Sequence, residues 1–244
     1  MRRFFSSCEN TQANLSLSKD DINHLLNVLR LEVGDEIIIC DGKATDYLCA
    51  IKEISKAGAS FEILSSSANQ AESAVKITLF QGLPKSDKMD LIVQKAVELG
   101  VNSIIPVESE RSVAKIKDGG EKKIARWQSI SEAAAKQSGR GIIPKIGSAI
   151  NFDKACEQMS SYNLALIAYE LETSNSLKKI VKNHQNLNNL AIFIGPEGGI
   201  SDKEATLAKS KGIIPITLGK RILRSESAGF MAIILSLAAV GEYE

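Results

Sequence analysis

The residues best suited to chemistry lie in short glycine-bearing segments. The first, Ile192-Phe193-Ile194-Gly195-Pro196-Glu197-Gly198-Gly199-Ile200-Ser201, runs from an apolar stretch through a glycine-dense turn to a helix opened by Asp202 and Glu204. Glycine lacks Cβ, so backbone N–H and C=O groups there can approach a ligand closely. The second, Thr217-Leu218-Gly219-Lys220-Arg221-Ile222-Leu223-Arg224-Ser225-Glu226-Ser227-Ala228, leads through an extended Ile-Leu-Arg into a helix start carrying Ser and Glu. A third, Gln81-Gly82-Leu83-Pro84-Lys85-Ser86, also follows an apolar run. Such loops are rich in backbone polar groups and poor in acid–base side chains. They suit a flat heteroaromatic ligand, whose polar edge the main chain can read without a charged residue. None is a dinucleotide fingerprint or a P-loop: Arg221 follows Gly219-Lys220 where Ser or Thr is needed, and Ile214 stands where the first Gly belongs. A tight strand–helix turn with no ligand is the competing interpretation of the first segment.

Positioning these loops requires a strand before each and a helix after it. From Ser73 onward the chain alternates between the two periods, which predicts strands at 75–80, 101–106, 164–169, 190–194 and 215–218. Helices are predicted at 86–100 (with Ser86 as cap), 121–139, 177–184, 201–211 and 225–240. Strands separated by helices imply an α/β fold with a mainly parallel sheet covered on both faces, and ligands in such sheets bind at the carboxyl ends of the strands. The last helix is apolar nearly all round. It is either a central core helix or one shared between the core and a subunit interface.

Residues 1–72 differ. Short alternating runs flank Asp41-Gly42, a hairpin signal, and Ser18 with Asp21 forms a capping box ahead of Leu25, Leu26 and Leu29. The stretch from Ser65 to Ser73 is small, polar and aperiodic, which predicts a linker. The expected division is therefore a small β-rich domain at 1–72 and an α/β domain at 73–244.

Composition narrows the function classes. The chain has 244 residues, 44% hydrophobic and 24% charged, enough for a substantial core, and a formal net charge of +1 that announces no polyanion partner. The charge is nonetheless uneven. Residues 1–72 hold seven Lys and Arg against eleven Asp and Glu, while Arg111 to Lys145 hold nine against three. Such a cluster is either a solvated helix face or a phosphate-binding footprint. Four cysteines without C-x-x-C spacing and two histidines, His24 and His184, offer neither a metal site nor a nucleophile–histidine pair. Met1 to Ser7 lacks the apolar stretch of a signal peptide, and the longest apolar run, Phe230 to Val240, is too short for a membrane span. A reducing cytoplasm is expected.

Five motifs in order resemble one known family. Arg2-Arg3-Phe4-Phe5, then His24 with Val28-Leu29-Arg30, look like its opening and first helix. Lys85 through Asp90 with Lys95-Ala96-Val97-Glu98-Leu99-Gly100-Val101, and Gln137-Ser138-Gly139-Arg140 followed by Pro144, are similar to its next signatures. Gly195-Pro196-Glu197-Gly198-Gly199, together with Leu218-Gly219 and Ile222 through Ala228, resembles its two cofactor loops. The family is that of the 16S rRNA uridine-N3 methyltransferases of the SPOUT class. Two departures are visible: Ser225-Glu226-Ser227-Ala228 stands for the usual Thr-Glu-Thr-Ala, and Lys136 stands where Glu is common.

The resemblance implies S-adenosylmethionine as cofactor, a C-terminal trefoil knot, a PUA-like N-terminal domain that binds RNA, and a homodimer acting on 16S rRNA, within the 30S subunit. It implies cofactor binding by Gly195, Glu197, Gly199, Leu218, Gly219 and Leu223. For the reaction itself, uridine N3 must lose a proton, and charge develops on the uracil oxygens. Arg224 is the candidate that stabilises this charge. Glu226 either takes the proton or caps the helix. Candidate RNA contacts are Arg2, Arg3 and Arg30 in the first domain, and Arg111, Lys123, Arg126 and Arg140 in the basic segment. No metal ligand is assigned. The rival readings are a SPOUT methyltransferase acting on tRNA and a non-catalytic RNA-binding assembly factor.

Overall fold

In the computed structural model, which describes residues 2–6, 15–85, 88–115, 120–184 and 186–243, the chain divides into two compact units. One comprises Met1–Glu72 with Ala135–Ile143, and the other Ser73–Ala134 with Pro144–Glu244. Cys8, the expected cap Ser86, and Lys117 with Asp118 of the basic segment lie outside the described residues.

The first unit is a four-stranded sheet, ordered β1 (Arg3–Phe5), β2 (Glu36–Cys40), β3 (Thr45–Ser55), β4 (Gly58–Ala68). β1 pairs parallel to β2, and the other pairs are antiparallel. Asp41 closes the β2–β3 hairpin, its Oδ1 accepting the N–H groups of Lys43 (2.7 Å) and Thr45 (3.0 Å). Ser18 caps α1 (Lys19–Asn23) as the capping box predicts, accepting the Asp21 N–H at 3.1 Å. The helix then widens into a π-wound stretch, His24–Leu29, and stops at Arg30 in the left-handed region, φ 53°. Ile22 and Leu25 thereby reach Phe4, Ile37, Ile39, Tyr47 and Cys49, the core of this unit. One expectation fails: Ser65 to Ala68 are not linker but the end of β4. Pairing with β3 holds this edge strand through the backbone groups on one side, so its exposed side chains carry no apolar pattern to betray it.

The second unit contains α2 (Lys88–Glu98), α3 (Glu121–Ser138), α4 (Phe152–Met159), α5 (Leu177–Asn183), α6 (Asp202–Ser210) and α7 (Ser225–Ala239), the end of α3 belonging to the first unit. Its strands are β5 (Lys76–Gly82), β6 (Ser103–Glu108), β7 (Lys145–Ile146), β8 (Ile150–Asn151), β9 (Leu164–Ala168), β10 (Asn189–Ile194) and β11 (Ile214–Ile216). They form one sheet in the order β11-β9-β10-β5-β6-β7, with β8 also on β6, and every pairing is parallel. Both faces are covered. Phe80 and Phe193 pack on one side with Phe152 and Cys156 of α4, Phe152 meeting Phe193 edge-on at 5.0 Å. On the other side α7 lies over β5 and β10 and packs against α2 and α5.

Burial governs the thiols. It pushes Cys40 and Cys156 up to about 12 and Cys49 up to about 11, so all three stay protonated at neutral pH. In a Cys8→Ser background, no alkylation of these residues is expected at pH 8 in the native state, and complete labelling in denaturant. Peptide mass mapping that found native adducts on any of them would contradict the packing.

Candidate active site

Strands β5, β10, β9 and β11 are parallel neighbours, so their carboxyl ends open on one side of the sheet. There the loops after β9, β10 and β11 line an open cavity of about 450 Å³, formed by Gly195 to Ile200, Thr217 to Ser225, and Ala168 to Glu170, while the loop after β5 stays outside the lining. The structure thus brings Gly195, Glu197, Gly199, Leu218, Gly219, Leu223 and Arg224 to one place.

Hydrogen bonds tie the loops together. Ser225 Oγ donates to the Gly195 carbonyl (2.6 Å) and accepts from Gln81 Nε2 (2.8 Å), which also donates to the Gly82 carbonyl (3.0 Å). Close approach demands glycine at 82, where a Cβ would stand 2.7 Å from the Pro196 backbone nitrogen. Gly219 is demanded by conformation instead, with φ +116° and open space beside it. Ser201 opens α6 with a full capping box to Glu204 and donates to Glu110 Oε2 at 2.7 Å. Arg111 is exposed, and its Nη1 donates to the Gly198 carbonyl at 3.2 Å, which makes it a brace of the glycine turn.

Lys88 is the contact that sequence reasoning missed. Its Nζ lies 3.0 Å from Glu197 and 3.5 Å from Glu226. Burial alone would raise the Glu197 carboxyl, but its own backbone N–H, Lys88 and the Lys85 N–H hold it below the ordinary value. The hydrogen bond to Glu197 in turn raises Lys88. Nothing in the local pattern signals this bridge, because its partners are more than a hundred residues away in the chain. Glu226 sits in the first turn of α7 outside the cavity lining, and its Oε2 is buried without a hydrogen bond. The N-cap is Arg224, which makes no side-chain cap bond. Its side chain is exposed, with no hydrogen bond or ion pair among the described residues.

The candidate RNA contacts are placed unequally. Arg2, Arg30 and Lys123 are exposed. Arg3 is held by Asp46 through a paired contact of 2.5 and 2.7 Å. Arg126 pairs with Asp90, which also accepts the Trp127 indole N–H at 3.1 Å. Arg140 departs furthest from expectation: it is 2% exposed and its Nη2 lies 2.6 Å from Glu72. Glu72 Oε1 accepts the N–H groups of Gly141 (2.9 Å) and Ile142 (3.1 Å) as well. So placed, Arg140 is an internal strut. A buried guanidinium with a carboxylate partner has little charge to offer a phosphate.

Comparison with known proteins agrees with this arrangement. The RNA methyltransferase domain family matches residues 71–237, and the RNA methyltransferase PUA domain family matches residues 17–64. The chain is 31% identical to the ribosomal RNA small subunit methyltransferase E of Bacillus subtilis over 242 residues, covering 96% of this chain and 94% of that one. It is 35% identical to the protein of the same name from Mesomycoplasma hyopneumoniae, over 93% of this chain and 95% of that one. The crystal structure of a ribosomal RNA small subunit methyltransferase E from Neisseria gonorrhoeae, bound to S-adenosyl methionine, superposes with a TM-score of 0.86 at 32% identity, and each chain is covered completely. Full-length agreement in sequence and fold, with the matched segment containing every loop around the cavity, leaves one assignment: the chain belongs to the ribosomal RNA small subunit methyltransferase E family.

Proposed function

We propose that the protein transfers a methyl group from S-adenosylmethionine to N3 of a specific uridine in 16S ribosomal RNA. The observation that carries this reading is the cavity itself, built from backbone-rich loops at the sheet edge with an unpaired arginine at its rim. Its residues fit the cofactor. About 450 Å³ falls in the range of small-molecule sites, and Leu218, Leu223, Ile194 and Ile216 supply apolar walls. Gly219 faces open space, so main chain can meet a ring edge there.

Bound in this cavity, S-adenosylmethionine would supply an electrophilic methyl on a sulfonium. The protein's part is alignment, exclusion of water and management of charge. The Ser225 tie holds the Gly195 and Gly82 loops in register, and Lys88 fixes Glu197 against α2. Arg224 stabilises charge developing on the uracil oxygens. We assign the N3 proton to Glu226, whose carboxylate stands 3.5 Å from the Lys88 ammonium beside the cavity loops. Arg2, Arg30 and Lys123 carry phosphate contacts, and the first unit serves as the RNA-binding domain despite its acidic balance.

Three further parts of this reading rest on the C-terminal elements. β11 lies at the sheet edge while the next element, α7, covers the middle strands, a crossing that supports a trefoil knot. α7 leaves Phe230 and Met231 half-buried and Ile234 40% exposed on one face, and Leu91 of the adjoining α2 is 44% exposed. That face supports a homodimer, to be checked by sedimentation. Action on the 30S subunit would place the protein in the cytoplasm. No helix among the described residues is long and apolar enough to cross a membrane.

Tritium transfer from labelled cofactor to 30S subunits, compared with tRNA, tests the reading. Label in 30S is expected. Label in tRNA would move the substrate, and none in either would leave a non-catalytic RNA-binding factor. Cofactor binding is checked separately: at a hundredfold excess over Kd it should stabilise the fold by about 2.7 kcal/mol and raise the melting temperature by several degrees. No shift at millimolar cofactor would remove the catalytic reading.

A further inference from the structure

Ile222 is 92% exposed, although its neighbour Leu223 is half-buried and both residues line the cavity mouth. A branched aliphatic side chain gains by leaving water, and this one is held out in it. Beside it in the same loop are Lys220, Arg221 and Arg224, all exposed and all without a side-chain hydrogen bond or ion pair among the described residues. One short loop therefore presents an exposed apolar side chain and three unmatched positive charges at the entrance of the site.

That combination selects the partner. The cations call for a polyanion, and the RNA substrate of the proposed reaction supplies one. An aliphatic tip among phosphate-binding cations fits single-stranded or opened RNA, whose bases present apolar faces once unstacked. A uridine can reach a methyl donor in the cavity only by leaving its stack, and it leaves behind an apolar slot between its neighbours.

We propose that Ile222 fills this slot and holds the target nucleotide out of the stack, while Lys220 and Arg221 contact the flanking phosphates. The inference rests on the reading of the cavity as the methylation site. It adds a positioning device that neither reads the base nor touches the reacting atoms. An aliphatic wedge is indifferent to sequence, so selection of the nucleotide lies elsewhere.

The test uses the full chain and a 12-nucleotide RNA carrying one uridine beside 2-aminopurine, whose fluorescence rises on unstacking. The wild type is expected to raise the fluorescence on binding. Ile222→Ala should bind with an unchanged salt slope, lose the fluorescence rise, and methylate 30S subunits about tenfold or more slowly, with cofactor affinity kept. Ile222→Leu should restore both signals. The double variant Lys220→Ala/Arg221→Ala should flatten the salt slope by about 1.4 units. Fluorescence and methylation unchanged in Ile222→Ala would overturn the proposal. So would loss of cofactor binding, which would place Ile222 in the pocket, or dissociation of a dimer, which would place it between copies. The binding and fluorescence arms need no turnover, so a failure of the methyltransferase reading would show separately, as absent label in the wild type.

Discussion

Arg224→Ala is expected to slow single-turnover methylation on the order of 100-fold or more, the typical loss for one donor to a developing oxyanion. The side chain is exposed, lines the cavity and has no partner among the described residues, so its removal breaks no contact that holds the fold. Melting temperature and cofactor affinity should stay near wild type. A contact formed only as charge develops lowers kcat selectively, so filter binding should report nearly normal RNA affinity. Arg224→Lys should recover part of the rate, because charge is kept while the planar fork is lost. If Arg224→Ala instead lost RNA binding and methylated normally at saturating RNA, Arg224 would join the phosphate-contacting residues.

Gly195→Val should weaken cofactor binding roughly tenfold to a hundredfold with the protein still folded. A Cβ at this position would stand 3.0 Å from Ile200 Cγ1 and 3.4 Å from the Gly199 carbonyl carbon. Retreat is restricted because the Gly195 carbonyl is anchored by Ser225 Oγ at 2.6 Å. Valine adds two methyl groups beyond that Cβ, at a residue that lines the cavity. Overpacking of this kind costs about 1–3 kcal/mol, which corresponds to roughly a tenfold to hundredfold loss in affinity if it falls on the bound state. Calorimetry measures the affinity and circular dichroism the fold. Normal affinity would mean that the loop is only a turn.

The alternation of strand and helix after residue 73 is legible in the sequence because most elements declare their own period, although α7 begins without a side-chain cap and α4, β7 and β8 fall outside the expected order. Ser201 with Glu204 forms the expected box, and the glycine loops fall at strand ends, where a parallel sheet leaves its ligand crevice. What stays hidden depends on partners distant in the chain. Arg140 reads as a surface cation until Glu72, sixty-eight residues earlier, is found against it. Lys88 carries no local mark of its place between Glu197 and Glu226. Ser65 to Ala68 read as linker because an exposed edge strand needs no apolar alternation once its neighbour supplies the hydrogen bonds. The π-wound turn ending at Arg30 is equally silent, since one extra residue per turn hardly disturbs a helical pattern.

The Ser225 tie has a consequence in time. It joins Gln81, Gly195 and the start of α7, so the pocket is completed by a residue made 144 positions after the first of its partners. A chain growing from its N-terminus can lay down β5, β6, β9 and β10 while still attached to the ribosome that made it, at roughly 5–20 residues per second. It cannot hold the methyl donor until Ser225 has emerged and settled. Until then the nascent enzyme is blind to its cofactor, and no ligand is available to template its folding. A chain that stops short of residue 217 would lack both the second cavity loop and the helix that covers β5 and β10, and so have no means of modifying the RNA around it.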